Sequence, residues 1–422
     1  MARRRCVLVI CDGHRRDMVT SVLCASIAGL AAHGRVFAAH RGVFPSVTRV
    51  SSASIATGCH PGAHGLHGNT MALFEGDRMV VHDVGPPAFR DHLRAVTGRS
   101  LLRPTLAERL KHHGGAWLYS NVSPGAAYFH DPDGHGHVYH RAGSYGPGLA
   151  PITGDRALSV AKDGTGDVAM TTRFIDEALA ENGPTLATLW LAEPDNTMHA
   201  VELGSPAHLA AIASADSCVA RVRTRVEAMR AAGDDVLLLV GSDHGQESVT
   251  GLIDMEAELV AAGLKDTADS GDVAVASQGT SALVYVAPRA RHRTASIGTF
   301  LRGRDWAASV AGPEDLSAVG MIPDGHLAFA VSLAKTSGAN AHGIQGGSLI
   351  AARPDKGERI HVGQHGGLGA WEQAPFLIAD GPGFDAGSVC AASTCIVDIA
   401  PTILGFLARP ATGMDGVGLQ GR

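Results

Sequence analysis

The stretch that decides the class of fold reads Cys6-Val7-Leu8-Val9-Ile10-Cys11-Asp12-Gly13. Its apolar part does not alternate with polar residues, which is typical of a strand buried on both faces, as in a parallel sheet. Similar runs predict strands at residues 116–119, 185–191, 235–240, 283–287, 327–331 and 376–379. Helical patterns predict helices at residues 17–32, 48–57, 105–113, 171–181, 208–232, 256–261, 294–302 and 395–407. This order predicts an α/β fold with a mainly parallel central sheet and helices on both faces.

Two regions lack this pattern and are predicted to differ from the rest. Residues 124–168 are rich in Gly, His, Pro and Asp, which predicts a long loop over a site. Residues 266–345 carry weaker strands and are predicted as an inserted cap or subdomain. The catalytic α/β core would then consist of residues 1–265 and 346–422.

Composition and charge exclude several classes of protein. With 422 residues, of which 45% are hydrophobic, the chain can bury a large core. A net charge of -6 disfavours a binder of nucleic acid polymers, which normally carries a basic surface. No apolar stretch approaches the roughly 20 residues of a membrane-spanning helix. Seven scattered cysteines, an odd number, favour the reducing cytoplasm. The oligomeric state is left open.

Potential metal ligands lie next to the predicted strands. In open α/β sheets functional groups collect at the carboxyl ends of the strands. Asp195 and His199 are four residues apart, so in a helical turn they face the same way and can share one ion. Carboxylate and imidazole groups suit zinc or manganese. The full set is Asp12, Asp195, His199, Asp243, His244 and His365.

Thr48 lies where a loop turns into the predicted helix 48–57. A hydroxyl at the positive end of a helix, with free backbone N–H groups around it, can meet an anion. The same position also suits an ordinary N-cap, and the sequence leaves both interpretations open. Asn69 lies in a Gly-rich turn after Leu66-His67-Gly68 and offers an amide donor.

The chain has 22 histidines, and most of them need another explanation than metal binding. His130, His135, His137 and His140 lie in the irregular region and are predicted to belong to a solvated loop. A further metal site or a substrate lid is the alternative. His14 follows Asp12 closely and is the strongest candidate for an extra participant, although it is not predicted as a ligand.

The ordered motifs resemble the alkaline phosphatase superfamily, and within it the branch of nucleotide pyrophosphatase/phosphodiesterases and phosphonoacetate hydrolases. The resemblance runs from Asp12 to the turn Met414-Asp415-Gly416. It implies two divalent ions per chain, zinc first and manganese as the alternative. It also implies Thr48 as a covalent nucleophile and Asn69 as a donor to a phosphoryl oxygen. The implied ligands are Asp195, His199 and His365 for one ion, and Asp12, Thr48, Asp243 and His244 for the other.

By this resemblance the protein is expected to hydrolyse phosphate diesters or nucleotide pyrophosphate bonds of a small phosphorylated or phosphonate substrate, with no membrane partner. Glu193-Pro194-Asp195 resembles the phosphodiesterases, whereas the segments at 46–58 and 64–69 resemble phosphonoacetate hydrolases, so cleavage of a C–P bond is the alternative. A non-catalytic metal- or phosphate-binding protein is a third possibility, disfavoured by the complete ligand set. Arg49 would bind a second anionic group or face solvent.

An aromatic slot beside the site would indicate a nucleotide substrate. Cationic groups converging from the cap would indicate phosphonoacetate, because its carboxylate needs a partner.

Overall fold

The computed structural model describes residues 3–352, 357 and 359–421. Its strands are, in chain order, β1 Arg4–Cys11, β2 Arg35–Arg41, β3 Thr70–Glu75, β4 Arg78–Asp83, β5 Ala116–Ser120, β6 His137–His140, β7 Ser144–Gly146, β8 Ala150–Ile152, β9 Leu186–Leu191, β10 Asp235–Gly241, β11 Glu247–Ile253, β12 Val273–Ser277, β13 Ser281–Val286, β14 Ala307–Ala311, β15 Leu327–Leu333, β16 Lys335–Ala339, β17 Gln345–Ala351, β18 Gly363–Gln364, β19 Leu377–Asp380 and β20 Val389–Cys395. The α-helices are α1 Ala25–Leu30, α2 Thr48–Thr57, α3 Pro61–His64, α4 Pro87–Thr97, α5 Leu106–Leu110, α6 Pro124–His130, α7 Gly164–Glu177, α8 Asp195–Met198, α9 Pro206–Ala231, α10 Met255–Ala261, α11 Thr294–Arg302 and α12 Ile399–Phe406.

Strand β1 lies at the centre of the fold. In the described part of the chain the largest sheet has ten strands, in the order β20-β2-β19-β10-β1-β9-β5-β6-β7-β8. Strand β1 pairs in parallel with both β10 and β9. Its side chains alternate between two hydrophobic cores, with Leu8 in one and Val9 in the other. The first core packs on α2, α6 and α12, and the second on α1, α7 and α9, which confirms the predicted α/β fold.

Two predicted strands belong to a different sheet. The runs at 283–287 and 327–331 form β13 and β15, which lie in the antiparallel sheet β12-β13-β15-β14. Leu283 and Val284 point into separate cores, so β13 is apolar on both faces. An apolar run therefore identified a buried strand correctly but could not distinguish an antiparallel from a parallel one.

The ends of several predicted helices differ from the structure. The helix predicted at 171–181 is α7, which begins seven residues earlier at Gly164, and the helix predicted at 105–113 is the shorter α5. Only α1 and a short 3-10 turn, Arg16–Met18, form within residues 17–32. At the other end of the chain, α12 begins at Ile399, because the residues before it form the edge strand β20 and a 3-10 turn. The division into core and inserted subdomain stays a prediction.

The region predicted as a long loop, residues 124–168, contains α6 and the strands β6 to β8, which extend one edge of the central sheet. These strands are three or four residues long, too short for a periodic pattern. The solvated-loop interpretation is also wrong for two of its histidines. His130 and His140 are buried, with His130 against the Ser52 hydroxyl and His140 against the Val122 carbonyl.

None of the helices in the described part of the chain combines the length and the apolar content needed to span a bilayer.

Candidate active site

The site lies at the carboxyl ends of three neighbouring parallel strands, β10, β1 and β9. Ile10 pairs with Gly241, and the acids Asp12 and Asp243 each come two residues after that pair. Strand β9 ends at Leu191 and leads into α8, which begins with Asp195. Parallel strands bring their carboxyl ends to one edge of a sheet, so these carboxylates meet there.

The first cluster consists of Asp195, His199 and His365. The Nε2 atom of His199 lies 3.3 Å from Asp195 Oδ2 and 3.3 Å from His365 Nε2, and His365 Nε2 lies 3.5 Å from Asp195 Oδ1. Two ligand atoms at about 2.0–2.1 Å from a tetrahedral zinc ion lie about 3.3 Å apart. The spacing of this cluster therefore fits one ion.

The second cluster consists of Asp12, Asp243, His244 and Thr48. The Nε2 atom of His244 lies 3.4 Å from Asp12 Oδ1, 3.2 Å from Asp243 Oδ2 and 3.2 Å from Thr48 Oγ1. The Oδ2 atom of Asp243 is buried and has no hydrogen-bond partner among the described residues. A buried carboxylate oxygen without a partner is costly unless a cation meets it, so this cluster also fits an ion.

Burial shapes the charge of the site. It raises the pKa of Asp243 to about 7, and it raises that of Asp12 well above the usual range, with Asp243 and Asp195 adding to the effect. Burial would also raise the pKa of Asp195, but His199 and His365 outweigh it and hold that pKa low. Three carboxylates this close repel one another, and bound cations would remove that repulsion.

Two histidines are oriented by backbone carbonyls. His365 Nδ1 lies 2.7 Å from the Ser46 carbonyl oxygen, and His244 Nδ1 lies 3.0 Å from that of Gly245. A ring nitrogen facing a carbonyl carries the proton, which leaves Nε2 with a free lone pair for a metal. Burial lowers the pKa of His244 to about 4 and that of His365 to about 3, so both rings are neutral at pH 7.

Two side chains that the sequence analysis missed orient the carboxylates. Trp190 Nε1 donates to Asp12 Oδ2 at 3.0 Å, and Gln246 Nε2 donates to Asp195 Oδ1. Gln246 could have been noticed, because it follows His244 by two residues. Trp190 lies inside the apolar run of β9, and only its pairing with Ile10 of β1 places it beside Asp12.

Thr48 is not the N-cap of α2. The helix begins at Thr48 itself, and Val47 is the cap residue without a capping side-chain bond. The Thr48 hydroxyl instead faces the second cluster, 3.4 Å from Asp12 Oδ1. The side chain is nearly buried but lines a cavity of about 180 Å³, so a substrate atom can reach it.

Asn69 faces the same cavity from the start of β3. The Oδ1 atom of Asn69 accepts from the backbone N–H of Arg49 at 3.3 Å. The backbone N–H of Asn69 donates to Gln278 Oε1 at 2.7 Å. Because the amide oxygen is turned toward Arg49, the Nδ2 group remains as a donor.

Arg49 does not face solvent freely. Its guanidinium donates to Asp83 Oδ1 at 2.5 Å, to the Asn69 carbonyl at 2.6 Å and to Ser123 Oγ at 2.9 Å. Burial lowers the pKa of this guanidinium. Arg49 also lines the cavity, as does the exposed Lys162.

His14 lies beside the site without joining it. Both ring nitrogens are buried without a partner among the described residues, and the ring packs edge-on against Phe376. The histidines 130, 135, 137 and 140 do not form a group of metal ligands within the described residues.

The fold and the ordered motifs place the chain in the alkaline phosphatase superfamily. A sequence model described as type I phosphodiesterase / nucleotide pyrophosphatase matches residues 6–300. The protein therefore belongs to the type I phosphodiesterase / nucleotide pyrophosphatase family, whose members hydrolyse phosphodiester and pyrophosphate bonds.

Solved structures agree on the fold. Murine ectonucleotide pyrophosphatase / phosphodiesterase 5 superposes with a TM-score of 0.70 at 17% identity, over 98% of this chain and 97% of its own. An inactive variant of that protein in complex with AMP gives the same values. Human ectonucleotide pyrophosphatase / phosphodiesterase 5 superposes with a TM-score of 0.69 at 17% identity, again over 98% of this chain and 97% of its own. No curated protein matches the sequence significantly.

Proposed function

We propose that this protein hydrolyses phosphate diesters or nucleotide pyrophosphate bonds, with Thr48 as a covalent nucleophile and two divalent ions as cofactors. One observation carries the proposal: the Thr48 hydroxyl faces both a cavity and a cluster of metal-ligand type, 3.2 Å from His244 Nε2. A helix-capping threonine would instead turn its hydroxyl toward the first backbone N–H groups of α2.

The two ions would be held by the two clusters described above, and zinc is preferred because aspartate and histidine with spacings near 3.3 Å suit it. Manganese accepts the same ligands. When bound, the ions supply positive charge that favours the alkoxide of Thr48 and stabilises the leaving oxygen.

The side chains of the protein carry the remaining steps. Thr48 Oγ1 loses its proton to solvent and forms a bond to phosphorus as the bond to the leaving alcohol or phosphate breaks, which leaves a phosphoryl ester on Oγ1, and the leaving oxygen takes up a proton from water. Water then hydrolyses this ester and restores the hydroxyl. Asn69 Nδ2 and the positive end of α2 face the non-bridging oxygens, where charge develops in the transition state.

Replacing Asn69 by alanine is expected to lower kcat for a diester by about 10²-fold, because one donor to the developing oxyanion is lost. Initial rates at saturating substrate measure this effect. Thr70→Ala is the matched control, since the neighbouring Thr70 hydroxyl donates to the Ser277 carbonyl at 2.7 Å and is not among the groups that line the cavity. An Asn69→Ala protein with the kcat of the wild type would argue against this role.

Phosphonoacetate hydrolysis is a second candidate, and the cavity lining favours it. Within the described chain, no Phe, Tyr or Trp lines the cavity, whereas the cations Arg49 and Lys162 do. A base-stacking slot is therefore missing from the described lining, and a carboxylate would find a cationic partner in the exposed Lys162, since Arg49 is already paired with Asp83. These cations come from α2 and from the segment before α7, not from the predicted cap.

A panel of substrates separates the candidates. Bis-p-nitrophenyl phosphate, p-nitrophenyl phosphate, thymidine p-nitrophenyl phosphate and phosphonoacetate are compared by kcat/KM on zinc-loaded protein. A phosphodiesterase prefers the two diesters, and a nucleotide preference raises the thymidine compound above the other diester. The highest kcat/KM on phosphonoacetate would replace the first proposal by the second.

We also propose a cytoplasmic location on the basis of the cysteines. All seven are free thiols, and six of them are buried. A reducing compartment keeps thiols in this state. The solved neighbours are ecto-enzymes by name and lend this location no support.

A further inference from the structure

A third group of metal-ligating side chains lies outside the catalytic cavity. Of the groups that the described residues form, two share His244 and belong to the candidate active site, and the third consists of Glu75, His82 and His92. None of these three residues lines the catalytic cavity. Glu75 ends β3, His82 lies near the end of β4, and His92 lies in the middle of α4.

The three ligand atoms converge on one point. Glu75 Oε1 lies 2.5 Å from His82 Nε2 and 3.0 Å from His92 Nε2, and the centroids of the two imidazole rings are 4.6 Å apart. Two ligand atoms at about 2.0–2.1 Å from a tetrahedral zinc ion lie about 3.3 Å apart, so on binding the His92 distance has to open by about 0.3 Å and the His82 distance by about 0.8 Å.

The chemistry of the group favours a transition metal. One carboxylate and two imidazoles suit zinc, and they disfavour calcium and magnesium, which prefer oxygen ligands. The side chains of Glu75, His82 and His92 are 30%, 24% and 38% exposed, so an ion can enter from solvent and keep water in its remaining positions.

We propose that Glu75, His82 and His92 form a separate binding site for a divalent transition metal ion of the zinc type. By binding all three side chains, the ion links the β3–β4 hairpin to α4. The open end of this hairpin adjoins the candidate active site, since Asn69 directly precedes β3 and Asp83, the residue after His82, holds Arg49. The bound ion therefore stabilises one wall of the catalytic cavity without taking part in the hydrolysis.

The test uses the full-length protein, stripped with a chelator, reloaded with Zn²⁺, passed over a desalting column and analysed for zinc by mass spectrometry. His92→Gln is expected to retain one zinc ion per chain fewer than the wild type. The matched control is His112→Gln, an exposed histidine after α5, which is expected to retain the wild-type content. Zinc is also expected to raise the Tm of the wild type more than that of His92→Gln.

Two further variants make the result independent of the active site and of misfolding. Glu75→Gln keeps the size of the side chain but loses the charged ligand, and it is expected to lose the same ion. In an Asp243→Asn background, His92→Gln is expected to remove a further ion, because the sites are separate. Unchanged zinc content in both His92→Gln and Glu75→Gln would overturn the proposal and leave a hydrogen-bonded His–Glu–His cluster.

Discussion

Thr48→Ala is expected to lower kcat for hydrolysis of bis-p-nitrophenyl phosphate by about 10³-fold or more, as loss of a covalent nucleophile does in other hydrolases. The hydroxyl lost is the one that faces His244 and Asp12 across the second cluster. Steady-state kinetics on zinc-loaded protein, with circular dichroism to establish the fold, measure the effect.

Two controls separate the hydroxyl from the helix that carries it. Thr48→Ser keeps an oxygen at the same place and is expected to retain substantial activity. Thr57→Ala removes a buried hydroxyl at the other end of α2, where it donates to the Ala53 carbonyl at 2.7 Å, and is expected to cost stability but not kcat. Hydrolysis at the wild-type rate by Thr48→Ala would exclude the covalent mechanism.

Asp243→Asn is expected to lose at least one metal ion per chain, and hydrolysis with it. The Oδ2 atom of Asp243 is buried without a hydrogen-bond partner among the described residues, so its charge is compensated when an ion binds there. Metal analysis after desalting gives the loss directly. Thermal unfolding gives a second measure, because a ligand at about 100 times its Kd stabilises the folded state by about 2.7 kcal/mol. The variant is expected to gain less from added zinc than the wild type does.

Asp216→Asn is the control for loss of a buried carboxylate. Asp216 accepts from the backbone N–H groups of Ser26 and Ile27 at the start of α1, so the change costs one of these two hydrogen bonds but leaves both clusters intact. Its metal content is expected to equal that of the wild type. If Asp243→Asn kept the full metal content and activity, the assignment of the second cluster would be wrong.

The candidate ligands could be selected from the sequence because of their positions in the chain. Asp12 directly follows a long apolar run and Asp243 lies three residues after another, and such runs become neighbouring parallel strands whose ends meet. Thr48 was found from its place at the start of a helix. Its role as a cap was a fair alternative until the structure placed the cap at Val47.

Other parts of the molecule left no local signal. From the sequence alone, Trp190 has the pattern of an ordinary core residue. Its hydrogen bond to Asp12 depends on the register between β1 and β9, two strands that are distant in sequence. The edge strand β20 and its neighbour β2 alternate irregularly between buried and exposed residues, so they lack the pattern of a half-buried strand. The Glu75, His82 and His92 group joins a hairpin to a helix, and no spacing along the chain indicates that contact.

The position of β1 between two cores has a consequence for how the protein can misfold. A slip of one residue in the pairing of β1 would move Asp12 by about 3.3 Å. It would also place the side chain of Leu8 in the core that now holds Val9, and that of Val9 in the core that now holds Leu8. Both changes are large compared with the tolerance of a metal site, about 0.2 Å in a ligand distance. A chain in the wrong register would therefore remain compact yet be unable to assemble the second cluster. Retention of metal thus tests whether β1 has paired in the correct register, as well as whether the ligands are present.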